Sequence, residues 1–227
     1  MSNEVLPLVF AVIIAITHYQ TGIIRLKKRH FSNKILSFSA GISITYVLLE
    51  LFPTFTEVAL TISKLLFVSI LLGFILHHLI EKEIYKHNRD HDLVKLLSLE
   101  ENIFSFVYHV ILGIVLFTLA KENVLQGILA FIPILTFTLV STLPMAPNPN
   151  KSRTLLMSLS TVIGVIIAFL WKGIPLWFEF SLIGLATGVL LYTVIRHHIP
   201  FGRKGRISYF TAGFVLYSLF IILTWYV

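Results

Sequence analysis

The chain has 227 residues, of which 56% are hydrophobic and 13% charged, with a formal net charge of +7 and no cysteine. Soluble domains average about 25% charged residues, so roughly half the usual share is present here. The length gives one domain, and the missing cysteine excludes disulfides, thiolate nucleophiles and zinc–thiolate centres. The basic residues sit in short clusters between apolar runs of bilayer length, where membrane orientation accounts for them, so the charge does not imply a nucleic-acid partner.

A membrane helix needs about 20 mainly apolar residues. The sequence predicts an all-α polytopic membrane protein, a single integral domain over 1–227 with about eight spans at 4–24, 35–55, 63–83, 103–120, 124–145, 154–171, 177–196 and 207–227. Its one sizeable connection is a cytoplasmic loop, 84–102, between the third and fourth helices. Fifteen Lys and Arg residues fall in the odd-numbered connections, among them Arg25, Lys82, Lys151 and Arg203. Only Lys64, Lys121 and Lys172 fall in the even ones. By the positive-inside rule both termini lie outside. The first apolar run has Glu4 before it and its basic cluster after it, the reverse of a cleavable signal, so it reads as a retained helix.

Two stretches echo each other. Gly41 precedes Pro53 by twelve positions with Tyr46 between them, and Gly188 precedes Pro200 by twelve with Tyr192 between. Gly73-Phe74-Ile75-Leu76 in the third predicted helix matches Gly213-Phe214-Val215-Leu216 in the eighth. The copies start an odd number of helices apart, so they cross the membrane in opposite senses. Inverted repeats of this kind build many secondary transporters, with the site between the copies. The expected fold is an inverted repeat of helices 1–3 and 6–8 around helices 4 and 5.

An ionisable group at membrane depth is costly and marks a site to be explained. His18 falls in the first span and Glu50 near the end of the second, just before Pro53. His77 and Glu81 stand one turn apart near the end of the third. His109 shares a polar or small stripe with Asn102, Ser105 and Gly113. The fifth helix carries Thr138, Ser141, Thr142 and Met145 on one face and ends at Pro144, Pro147 and Pro149; proline frees a carbonyl for an ion or a substrate. Glu50, His109, Ser141, Thr142, Met145 and Pro144 are the candidate substrate pathway, with His109 and Glu50 as candidate metal ligands. Glu50 at a pathway mouth would attract cations; at the interface it would simply be solvated. In the loop, His87, Asp90 and His91 are candidate ligands, alongside the reading of a solvated connection.

These residues resemble the ZIP (Zrt/Irt-like) divalent-metal transporters over most of the chain. The stretch from Ser37 to Gly41 and on through Glu50 to Pro53 is similar to that family's second helix. Leu72-Gly73-Phe74 to Glu81-Lys82 is similar to its third, and Thr187-Gly188 to Tyr192 with the Gly213-Phe214 helix to its last two. The resemblance implies eight helices, inverted three-helix repeats about a central pair, a homodimer in the lipid bilayer, and a divalent metal ion as substrate. The family's fourth helix carries a His-Asn pair followed by a carboxylate; here Val110 follows His109. Its fifth reads His-Glu-x-Pro-His-Glu, where this chain reads Ser141-Thr142-Leu143-Pro144-Met145-Ala146. The proline is kept and the strong ligands are gone.

Two functions follow as expectations. One is a diverged ZIP-like transporter in the plasma membrane, moving a divalent cation or another small solute by alternating access. The other is a non-transporting relative that regulates or partners another membrane protein. An enzyme is not expected, because neither HExxH nor Gly-x-Ser-x-Gly occurs.

Overall fold

A computed structural model of the chain describes residues 4–23, 29–87, 92–141, 151–171, 173–195 and 206–226. These are helical throughout, with no strand among them: α1 Val5–Ile23, α2 Arg29–Tyr46, α3 Phe52–Ile62, α4 Phe67–His87, α5 Asp92–Glu122, α6 Val124–Ser141, α7 Lys151–Ser158, α8 Ser160–Leu170, α9 Leu176–Thr193 and α10 Ile207–Thr224. A π-turn, Val47–Leu51, fuses α2 to α3. Six stretches are long and apolar enough to cross a membrane: Val5–Gly22, Asn33–Ile62, Ile103–Glu122, Lys151–Leu170, Leu176–Thr193 and Ile207–Thr224. Two shorter apolar stretches, Lys64–Leu76 and Val124–Val140, stand where the third and fifth spans are expected. The chain is an all-helical, multi-pass membrane protein.

Its surface agrees with that reading. In α10 only the stripe Gly213, Tyr217 and Ile221 is buried, while Leu216, Leu219 and Leu223 face outward. An apolar exterior of this kind suits lipid as the solvent, where burial of apolar area no longer drives helix association.

The helices form two groups. In one, α10 lies along α2 and α9 along α4; in the other, α8 lies along α5, and α1 packs on α6, α7 and α8. The groups meet where α6 touches α2 and where α9 touches α5. Glycines set the closest crossings. A Cβ on Gly41 would strike the Phe210 carbonyl oxygen and sit 2.7 Å from the Phe214 amide nitrogen. A Cβ on Gly188 would strike the Ile70 carbonyl oxygen and sit 2.7 Å from the Phe74 nitrogen. From the other side, Gly213 faces the Phe38 carbonyl and Gly73 that of Leu185. Phe38 and Leu185 each stand three residues before their own helix's glycine, as do Phe210 and Ile70. The α2–α10 and α9–α4 crossings therefore match residue for residue. In both helices a π-type turn begins six residues after the glycine, at Val47 and at Val194, and both valines are fully buried.

Two boundaries differ from the sequence reading. The second helix was expected to end near Pro53, yet it continues to Ile62. Proline lacks an amide proton and crowds the preceding turn. The π-turn widens that turn, and the Phe52 N–H donates to Val47 O, five residues back. Second, the stretch 84–102 is largely helical, since α4 runs to His87 and α5 starts at Asp92. The sixth span runs from Lys151 to Leu170 as expected, with one turn residue, Leu159, between α7 and α8. Beside it the Ser158 and Ser160 hydroxyls donate to the carbonyls of Leu155 (2.7 Å) and Met157 (2.6 Å), the local bonding common for Ser in membrane helices.

A second proline lies inside α6. Pro133 has no N–H for the Leu129 carbonyl four residues earlier. The Tyr217 hydroxyl of α10 donates to that oxygen at 2.6 Å in a buried contact. Tyr217→Phe keeps the ring and orphans the carbonyl, which costs about 1–3 kcal/mol. A denaturant titration in detergent should show that loss, and an unchanged midpoint would mean that the carbonyl finds another donor.

Candidate functional site

The polar site lies between α1, α5 and α6. His109 comes from α5 and is 1% exposed. Its Nδ1 is 2.7 Å from the carbonyl oxygen of Ser105, one turn earlier, and 3.3 Å from the Ser105 hydroxyl. A carbonyl only accepts, so Nδ1 carries the proton and Nε2 keeps its lone pair. Thr138 Oγ1 of α6, fully buried, lies 3.2 Å from that Nε2 and is placed to donate to it. Helix periodicity thus fixes the tautomer, and the α5–α6 packing brings the hydroxyl. The short link through Asn123 holds these two helices together, its Oδ1 accepting from Leu125 N at 2.8 Å.

His18 of α1 completes the cluster. Its ring centroid is 5.2 Å from that of His109, with the planes 31° apart, and the residue is 3% exposed. Its Nδ1 is buried without a hydrogen-bond partner. Tyr108 and Phe137 wall the site: the Tyr108 ring lies 5.6 Å from Phe137, and the Phe137 ring 6.2 Å from His109. Gly113, on the same predicted stripe as His109, has a different use. It lets α5 close on Thr161 and Gly164 of α8.

The predicted residues separate. His109 and Thr138 come together as the polar faces of the fourth and fifth helices suggested. Glu50 sits half-buried in the π-turn of the other helix group and makes none of the His109 contacts. Ser141 ends α6 and His87 ends α4, but their side chains lie outside the description. Thr142, Pro144, Met145, Asp90 and His91 lie outside the described residues altogether. His18 was visible in sequence only as an ionisable residue in a span; nothing there named its partner. Among the described residues no group of three or more His, Asp and Glu side chains comes together to hold a metal ion. No protein-family model matches this sequence, and no curated protein matches it.

Proposed function

We propose that the chain is a ZIP-like membrane transport protein that moves a divalent metal cation or another small solute by alternating access. In this reading it has eight spans with both termini outside, lies in the plasma membrane as a homodimer, and builds helices 1–3 and 6–8 as inverted repeats around α5 and α6. The observation that carries it is the matched pair of glycine crossings, α2 on α10 and α9 on α4. Exchanging α1 with α7–α8, α2–α3 with α9, α4 with α10, and α5 with α6 also leaves the principal helix neighbours the same. Two equivalent halves can exchange conformations, and that exchange opens a central site first to one side and then to the other. The buried imidazoles and hydroxyl sit on α1, α5 and α6, within one helix group, where such an exchange would carry them.

The second reading, a non-transporting relative acting on another membrane protein, is favoured by one observation. The described residues offer two imidazoles and a hydroxyl but no carboxylate beside them. Uptake into proteoliposomes with a panel of divalent cations separates the two. Transport predicts saturable flux that falls at least tenfold in His109→Ala. No flux for any divalent cation, from protein that stays monodisperse, leaves the regulatory reading or a solute other than a divalent cation.

A further inference from the structure

His18 and His109 come from helices far apart in sequence, and only the folded bundle brings their rings to 5.2 Å. The Ser105 carbonyl at 2.7 Å holds the proton of His109 on Nδ1 and leaves Nε2 as a lone-pair donor. This is how proteins orient a histidine for ligation, with the far ring nitrogen tied to a carbonyl. His18 adds a ring 3% exposed with an unpartnered Nδ1. A buried polar atom left unpaired is costly, so a ligand at that place recovers free energy.

We propose that His18 and His109, with Thr138 Oγ1, form a binding site for a monovalent d10 cation of the Cu(I)/Ag(I) class. The spacing fits one shared ion. Two imidazoles that share one ion with a third donor, at an angle of about 110–120° and at metal–nitrogen distances of about 2.0–2.1 Å like those of zinc, have ring centres about 5–5.5 Å apart. The observed separation is 5.2 Å.

Charge selects the class of ion. All three donors are neutral, and among the described residues no third His, Asp or Glu joins the pair. Desolvation cost rises with the square of the charge, so a divalent ion here loses roughly four times what a monovalent one does, with no anion to offset it. Imidazole is a good copper donor, and with no cysteine the chain has no thiolate to compete for the ion. As a binding site this stands apart from transport. As the substrate site it rests on the transport reading.

The test is Ag(I) titration of the purified full chain against a competing chelator, with Zn(II) run in parallel. The chains compared are wild type, His18→Gln, His109→Gln and the double variant. One Ag(I) should bind at least tenfold more tightly than Zn(II). Each single variant should weaken it at least tenfold, and the double variant should add little, because both rings hold the same ion. Wild-type Ag(I) affinity in His18→Gln, or tighter Zn(II) than Ag(I), overturns the proposal. Should the variants fail to fold, X-ray absorption of wild type with one equivalent of Ag(I) decides it: two imidazole ligands support the site, one or none overturns it. Uptake then separates the two claims. Ag(I) binding without Ag(I) uptake leaves the site and removes its role as the substrate site, whereas divalent flux unaltered by His18→Gln leaves transport and removes the site from it.

Discussion

Gly188→Val and Gly41→Val should each destabilise the protein by about 3 kcal/mol or more, at the upper end of what overpacking costs. At both positions the first atom added meets backbone, not a side chain that can turn away. The Cβ would strike the carbonyl of Ile70 or Phe210 and come within 2.7 Å of the Phe74 or Phe214 amide. Relief requires moving a whole helix, α4 from α9 or α10 from α2. In lipid that separation loses the close packing that holds the pair together. The two variants should therefore lose similar amounts, because the crossings are the same in register. Gly184→Ala is the control, since its neighbours are the Ser69 hydroxyl and the Phe55 ring, both side chains. It should lose less than either valine variant. Denaturant titration in detergent micelles reads all three. If Gly41→Val were tolerated while Gly188→Val unfolded the chain, the equivalence of the crossings would have no energetic meaning.

Those glycines explain why so much of the fold is legible in the sequence. A residue that must let two backbones touch has no substitute, so both copies keep it twelve positions before the proline. Apolar length locates the helices in the same direct way, because it follows from the solvent. Pro53 misleads for a physical reason. It ends most helices, but the π-turn from Val47 routes the Phe52 N–H past it, and no local pattern announces that detour. Pro133 is equally opaque, since the donor that satisfies the freed carbonyl is Tyr217, on a helix much later in the chain.

The candidate site is legible by halves. A stripe of Ser105, His109 and Gly113 on one helix and Thr138 on the next can be read from helix spacing, and the His109–Thr138 contact follows from packing adjacent helices. The spacing does not separate roles along the stripe. Ser105 orients the imidazole through its carbonyl, and Gly113 serves only the approach of α8. His18 was beyond reach because pairing it with His109 requires knowing that α1 packs beside α5 and α6.

Fixing the two helix groups to each other should abolish flux, whereas fixing helices within one group should leave it. The chain has no cysteine, so introduced pairs respond to a thiol cross-linker without background. Ile42 of α2 and Ile132 of α6 line one open apolar groove and belong to different groups. Phe10 of α1 and Phe131 of α6 stack at 4.3 Å within one group, and Phe74 of α4 and Tyr192 of α9 meet edge to face at 5.4 Å within the other. A flexible bifunctional reagent across Ile42→Cys and Ile132→Cys should stop uptake by at least tenfold. The same reagent across Phe10→Cys and Phe131→Cys, or across Phe74→Cys and Tyr192→Cys, should leave flux at the level of the uncross-linked variant. The asymmetry follows from the packing. Matched glycine crossings make the α2–α10 and α4–α9 contacts too close to slide, whereas among the described residues no glycine sets the α2–α6 approach. Equal loss from all three cross-links would mean that the bundle moves as more than two bodies. Full flux with Ile42 and Ile132 joined would mean that this boundary does not move at all, and alternating access by these two groups would fall with it.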